Sequence, residues 1–109
     1  MNNRLEQLQL FLKSTPEDPF LRYAIALEHL KLQDETKALA LFSELIETNP
    51  SYVGTYYHLG KLLEKQEQYD TALSTYEKGI NIATQLNDSL SLRELKGAYN
   101  MLNDELSDW

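Results

Sequence analysis

The 109-residue chain has room for one domain with one core, and its 42% apolar and 25% charged residues are ordinary for a globular protein. Its formal net charge of −7 weighs against nucleic-acid binding, which rests on neutralising phosphates, and its lack of cysteine excludes disulfides and thiolate zinc sites. No apolar run approaches the ~20 residues of a bilayer span, and the first residues, broken by Arg4, Glu6, Gln7 and Gln9, hold no signal-peptide core, so a cytoplasmic protein is expected.

The first helix is expected over 3–14, where Leu5, Leu8, Phe11 and Leu12 recur at helical spacing. The stretch TPEDP stops it, and Asp18 before Pro19 reads as the start of a second helix reaching 32. QDE turns the chain into a third helix over 35–48, ended by Pro50. Ser51 is expected to cap a fourth helix that runs to 65. QEQ turns the chain again, and a fifth helix covers 69–86. After NDS, Ser91 and Glu94 fit a capping box in the first turn of a sixth helix ending near 106, with the tail 107–109 frayed. The class is all-α.

The chain matches itself at a shift of 34 residues. Tyr23 falls on Tyr57, Lys31 on Lys65, Ala38 on Ala72, Leu39 on Leu73 and Ile46 on Ile80. Pro16 falls on Pro50, and Leu8 on Phe42. Such a period is that of a helix–turn–helix repeat.

No chemical constellation accompanies it. His29 and His58 stand far apart with no acid cluster at ligand spacing, so neither metal nor cofactor is expected. Gly54, Gly60, Gly79 and Gly97 are too dispersed for a phosphate loop, and no nucleophile elbow occurs. The protein is read as not an enzyme, with no catalytic residue.

The residues resemble the tetratricopeptide repeat family. Tyr56-x2-Leu59-Gly60-x2-Leu63 followed by Ala72-x3-Tyr76 follows its signature, with Thr84 in place of the proline. Ile25-Ala26, Ala38-x3-Phe42 and Pro50 repeat it, departing at Arg22 and His29. The resemblance implies a small stand-alone protein of bacterial type, in which antiparallel helix pairs stack as a short right-handed superhelix. Residues 1–16 would be the second helix of a truncated repeat, 17–50 and 51–86 two full repeats, and 88–106 a capping helix displaced by about three residues.

The resemblance also implies how the pairs pack. Ala26, Ala38, Gly60 and Ala72 are the small contacts, and Phe42, Tyr76, Leu45 and Ile46 fill the space opposite. Leu21, Ile25 and Leu32 would serve the core of the first repeat. Gly79 stands where the first repeat has Leu45, so Gly97 and Ala98 of the sixth helix are expected to approach it.

The first helix of each repeat would line a concave groove for a partner's peptide or helix. In the first repeat its lining would be Phe20, Tyr23, Leu27, Leu30 and Lys31. In the second it would be Gly54, Tyr57, His58, Lys61 and Lys65. Two readings stand: the apolar members pack against neighbouring helices and the lysines are merely solvated, or the groove takes an apolar peptide carrying a carboxylate. The lysine, asparagine and arginine pattern with which some members clamp chaperone C-termini is missing, since Tyr23, Leu27, His58, Ser91 and Leu95 stand there. The function expected is a non-enzymatic protein-interaction module, with no nucleic acid or membrane among its partners. The alternative is a structural homodimer whose groove holds a second copy.

Overall fold

The computed structural model describes residues 3–108. Among these residues six helices follow one another: α1 Asn3–Ser14, α2 Pro19–Lys31, α3 Glu35–Thr48, α4 Gly54–Lys65, α5 Tyr69–Gln85 and α6 Ser89–Ser107. No strand occurs among the described residues. The chain divides into two compact units, Met1–Tyr52 and Val53–Trp109. Of the tail expected to fray, Trp109 lies outside the described residues.

Local chemistry sets the helix ends. The Asp18 carboxylate accepts the Phe20 amide at 2.9 Å, with Pro19 filling the first helical position. Asp34 accepts the Lys37 amide at 3.3 Å to start α3. Two caps differ from the sequence expectation. Ser51 caps nothing: residues 49–53 form turns, in which the Tyr52 amide donates to the Asn49 carbonyl at 3.0 Å, and α4 begins at Gly54 without a side-chain cap. Asp88, not Ser91, caps α6, taking the Ser91 amide at 3.0 Å and its hydroxyl at 2.8 Å. A carboxylate outcompetes a hydroxyl for the free amides at a helix's positive end.

Helices α2, α4 and α5 close alike. A residue with positive φ follows each C-cap, at Gln33, Glu67 and Asn87. The next amide then reaches back five residues, from Asp34 to His29, Gln68 to Leu63 and Asp88 to Ala83. These bonds satisfy the last free carbonyls in a Schellman arrangement. Because α2 stops at Lys31, Leu32 leaves the buried stripe and is half exposed, outside the core position its spacing suggested.

In the first unit α2 packs against α1 and α3. Leu8, Leu21, Ala24 and Ile25 form one cluster, with Leu5, Leu12 and Leu41 against it. Ala26, Ala38, Phe42 and Leu45 are fully buried. The Glu28 carboxylate, largely buried, meets Arg4 and Lys31, each at 3.9 Å.

In the second unit α5 packs against both α4 and α6. Gly60 lies flat against the Tyr76 ring: a Cβ there would stand 2.6 Å from Cδ1 and Cζ of that ring. Burial of Tyr76 against that bare backbone offsets the roughly 1 kcal/mol a helix-interior glycine costs relative to alanine. Gly79 faces the sixth helix, as expected, but through Leu95, and Tyr56 stands beside it as well. A Cβ there would meet Tyr56 Cβ at 2.6 Å and Leu95 Cδ1 at 3.0 Å, while Gly97 has nothing within 4 Å of the same position. α5 has 17 residues against 14 in α3, and this longer helix meets Leu95 of α6 at Gly79.

A candidate partner-binding cleft between α4 and α6

The residues marked for the groove meet different fates. On α2, Tyr23 is half buried, its ring 5.3 Å from that of Tyr52 and 6.3 Å from that of Phe42. Leu27 and Leu30 are half buried, Phe20 is 54% exposed, and Lys31 is exposed with its ammonium on Glu28. Tyr23 is thus engaged in packing within its own unit.

On α4 the equivalent stripe opens onto a cleft of about 370 Å³. Tyr57 and Lys61 form one wall. Helix α6 supplies the other with Leu90, Arg93, Glu94, Gly97, Ala98 and Met101. His58 lies beside Tyr57, ring centroids 5.5 Å apart and edge-on. Lys65, one turn beyond Lys61, is exposed and outside this lining.

The core holds the cleft's lysine in place. The buried Tyr76 hydroxyl donates to Glu64 Oε2, and the same carboxylate oxygen stands 3.9 Å from the Lys61 ammonium. Lys61 also sits 5.9 Å from the Tyr57 ring centroid, within cation–π range. Burial first, then the bond to Glu64, pushes the Tyr76 phenol far above its ordinary value, so it remains a donor. His58 is shifted the other way. Burial lowers it below the usual imidazole value, and the Glu94 carboxylate opposes that shift in part.

Leu90, Arg93 and Met101 were not marked from sequence. They stand at i, i+3 and i+11, with Glu94, Gly97 and Ala98 between, so a helical-period search of 89–107 could have found the face. Leu95, which stands at a clamp position of the family, is buried against Gly79. The cleft therefore combines two exposed apolar side chains, an aromatic wall, two cations and one carboxylate. No group of three or more metal-ligating side chains occurs among the described residues. No described helix is long and apolar enough to cross a membrane.

Comparison with known proteins places this architecture. The chain is 51% identical to a tetratricopeptide repeat domain protein from Salinibacter ruber, whose crystal structure matches with a TM-score of 0.77 over 79% of this chain and 97% of that one. The chain belongs to the tetratricopeptide repeat family. A solution structure of the Salinibacter domain gives 53% identity and a TM-score of 0.77 over 80% of this chain and 88% of that one. The tetratricopeptide repeat family model matches residues 41–74. The TPR2B domain of yeast Sti1, solved in complex with pHsp70, shares the fold with a TM-score of 0.83 at 23% identity, over 93% of this chain and 81% of that one. No curated protein matches the chain. Tetratricopeptide repeats generally mediate protein–protein interaction, and this chain carries that fold.

Proposed function

We propose that this tetratricopeptide repeat protein is a non-enzymatic interaction module whose α4/α6 cleft takes an apolar peptide segment bearing a carboxylate. One observation carries the reading. Lys61 and Arg93 converge on a cleft with Tyr57, Leu90 and Met101, in a chain whose net charge is −7. Leu90 is 72% exposed and Met101 62%, so the apolar surface is available to a partner. A peptide there would bury apolar side chains and meet a cation already held by Tyr57 and Glu64. Arrayed acidic-apolar peptides test it: Lys61→Glu and Tyr57→Ala should each weaken the peptides that bind. Unchanged affinity in both variants contradicts the assignment.

A second reading, self-association, is favoured by α1. Leu10 is 62% and Phe11 61% exposed, and Phe11 occupies the repeat position at which Leu45 is fully buried. A helix of a second copy could cover this face. Light scattering distinguishes the two: a monomer at every accessible concentration removes self-association.

A further inference from the structure

Of the glycines at 60, 79 and 97, only the first two have a packing reason. At Gly60 an added Cβ would overlap the Tyr76 ring, and at Gly79 it would stand 2.6 Å from Tyr56 Cβ. At Gly97 it would meet nothing within 4 Å. Gly97 nevertheless sits in the middle of a 19-residue helix, where glycine costs roughly 1 kcal/mol relative to alanine. Packing within the fold does not require that absence of a side chain.

Its surroundings suggest a purpose. Gly97 lines the cleft midway along the α6 stripe, with Arg93 and Glu94 one turn before it and Met101 one turn after. Opposite stand Tyr57 and Lys61 of α4. The bare backbone makes a notch, flanked by an apolar thioether and facing an aromatic wall. A flat ring fits such a notch, since it can lie on exposed backbone and contact both sulfur and aromatic surface. The two cations supply the charge complement for a neighbouring carboxylate.

We propose that Gly97 is the seat of an aromatic side chain in the bound peptide, and that the peptide carries a carboxylate next to that ring for Lys61 and Arg93. The proposal rests on the reading of the α4/α6 cleft as the binding site, and adds to it which residue sets specificity. Gly97 acts by leaving space, so filling the space removes the specificity without harming the fold.

The experiment uses N-acetylated, C-amidated octapeptides in three matched forms: an Asp beside a Phe, the same Asp beside an Ala, and an Asn beside the Phe. Fluorescence anisotropy reads their affinity for the wild-type chain and for Gly97→Leu, Gly97→Gln and Lys61→Glu. Melting temperature is read on each variant. In the wild type the Asp–Phe form should bind tightest, by about tenfold over either partner form. Gly97→Leu and Gly97→Gln should each keep or raise the melting temperature and weaken the Asp–Phe form by about tenfold, down to the level of the Asp–Ala form. Lys61→Glu should weaken the two Asp forms and leave the Asn–Phe form unchanged. If both Gly97 variants bind the Asp–Phe form within about twofold of wild type while Lys61→Glu loses it, the aromatic seat is overturned and the cleft stands. If Lys61→Glu also leaves binding unchanged, or no form binds at millimolar concentration, the cleft and the seat fall together.

Discussion

Helices α2 and α4 present the same repeat positions and use them differently. Tyr23 on α2 packs its ring, tilted, against those of Tyr52 and Phe42, whereas Tyr57 on α4 walls a cleft. Leu27 is half buried, whereas its counterpart Lys61 is exposed beside Tyr57. At Tyr23 the first of these faces is taken up by packing, and at Tyr57 the second lies open. Repeat position alone therefore does not say which surface a partner meets; the local occupants do.

The helix pairs behind these faces differ in a matched way. The first repeat has Ala26, Leu30 and Phe42, and the second has Gly60, Glu64 and Tyr76. The added Tyr76 hydroxyl has a carboxylate to receive it, and the missing Cβ at Gly60 gives its ring room. Likewise the first repeat has Arg22 with Leu45, and the second Tyr56 with Gly79. Arg22 pairs with Glu44, while the Tyr56 side chain occupies the space that a larger residue at 79 would need.

Breaking the second set has the largest expected effect. Gly60→Leu should cost about 3 kcal/mol or more by overpacking against Tyr76, read as a lost or broadened thermal transition. An unchanged melting temperature contradicts the packing scheme. Carrying the whole first-repeat set across, with Gly60→Ala, Glu64→Leu and Tyr76→Phe together, should recover most of the stability that Gly60→Ala alone loses. Next in size is Glu64→Leu by itself. It strands the buried Tyr76 hydroxyl and should cost about 1–3 kcal/mol in denaturant unfolding. In Tyr76→Phe the same substitution should cost far less.

Smaller effects sharpen the comparison. Glu67 holds a positive φ of 60°, so Glu67→Gly should stabilise by roughly 1 kcal/mol, where a side chain now crowds a left-handed residue. An equal or lower melting temperature speaks against strain at that turn. Smallest is a pH effect at His58, whose first-repeat counterpart is Ala24. Its folded value lies below the ordinary 6.5, so between the two values the unfolded chain binds more protons. Stability from this site is fully present above 6.5 and is lost as pH falls toward the folded value. His58→Gln should flatten that slope in urea titrations at graded pH, and an unaltered slope removes His58 as its source.

The 34-residue register and the Asp–Pro and Pro punctuation made the family and most helix boundaries legible in the sequence. The cap of α6 was misassigned where two polar residues competed for one role, as Asp88 and Ser91 did, and the start of α4 where turns intervened after Asn49. Tyr57 and Lys61 were legible as a pair because register placed them on one face. Arg93 and Met101 were not, because α6 follows a longer α5 and its stripe no longer obeys the repeat. The openness of Gly97 was invisible, since sequence cannot distinguish a glycine with a neighbour from one without.

The most direct test compares the two faces with one ligand. The octapeptide with an Asp beside a Phe would be titrated calorimetrically into the wild type, the double variant Lys61→Glu/Arg93→Glu, and Phe20→Ala on the exposed edge of α2. Binding should be lost in the double variant and keep wild-type affinity in Phe20→Ala. Retained binding in the double variant, or loss confined to Phe20→Ala, would contradict the cleft assignment.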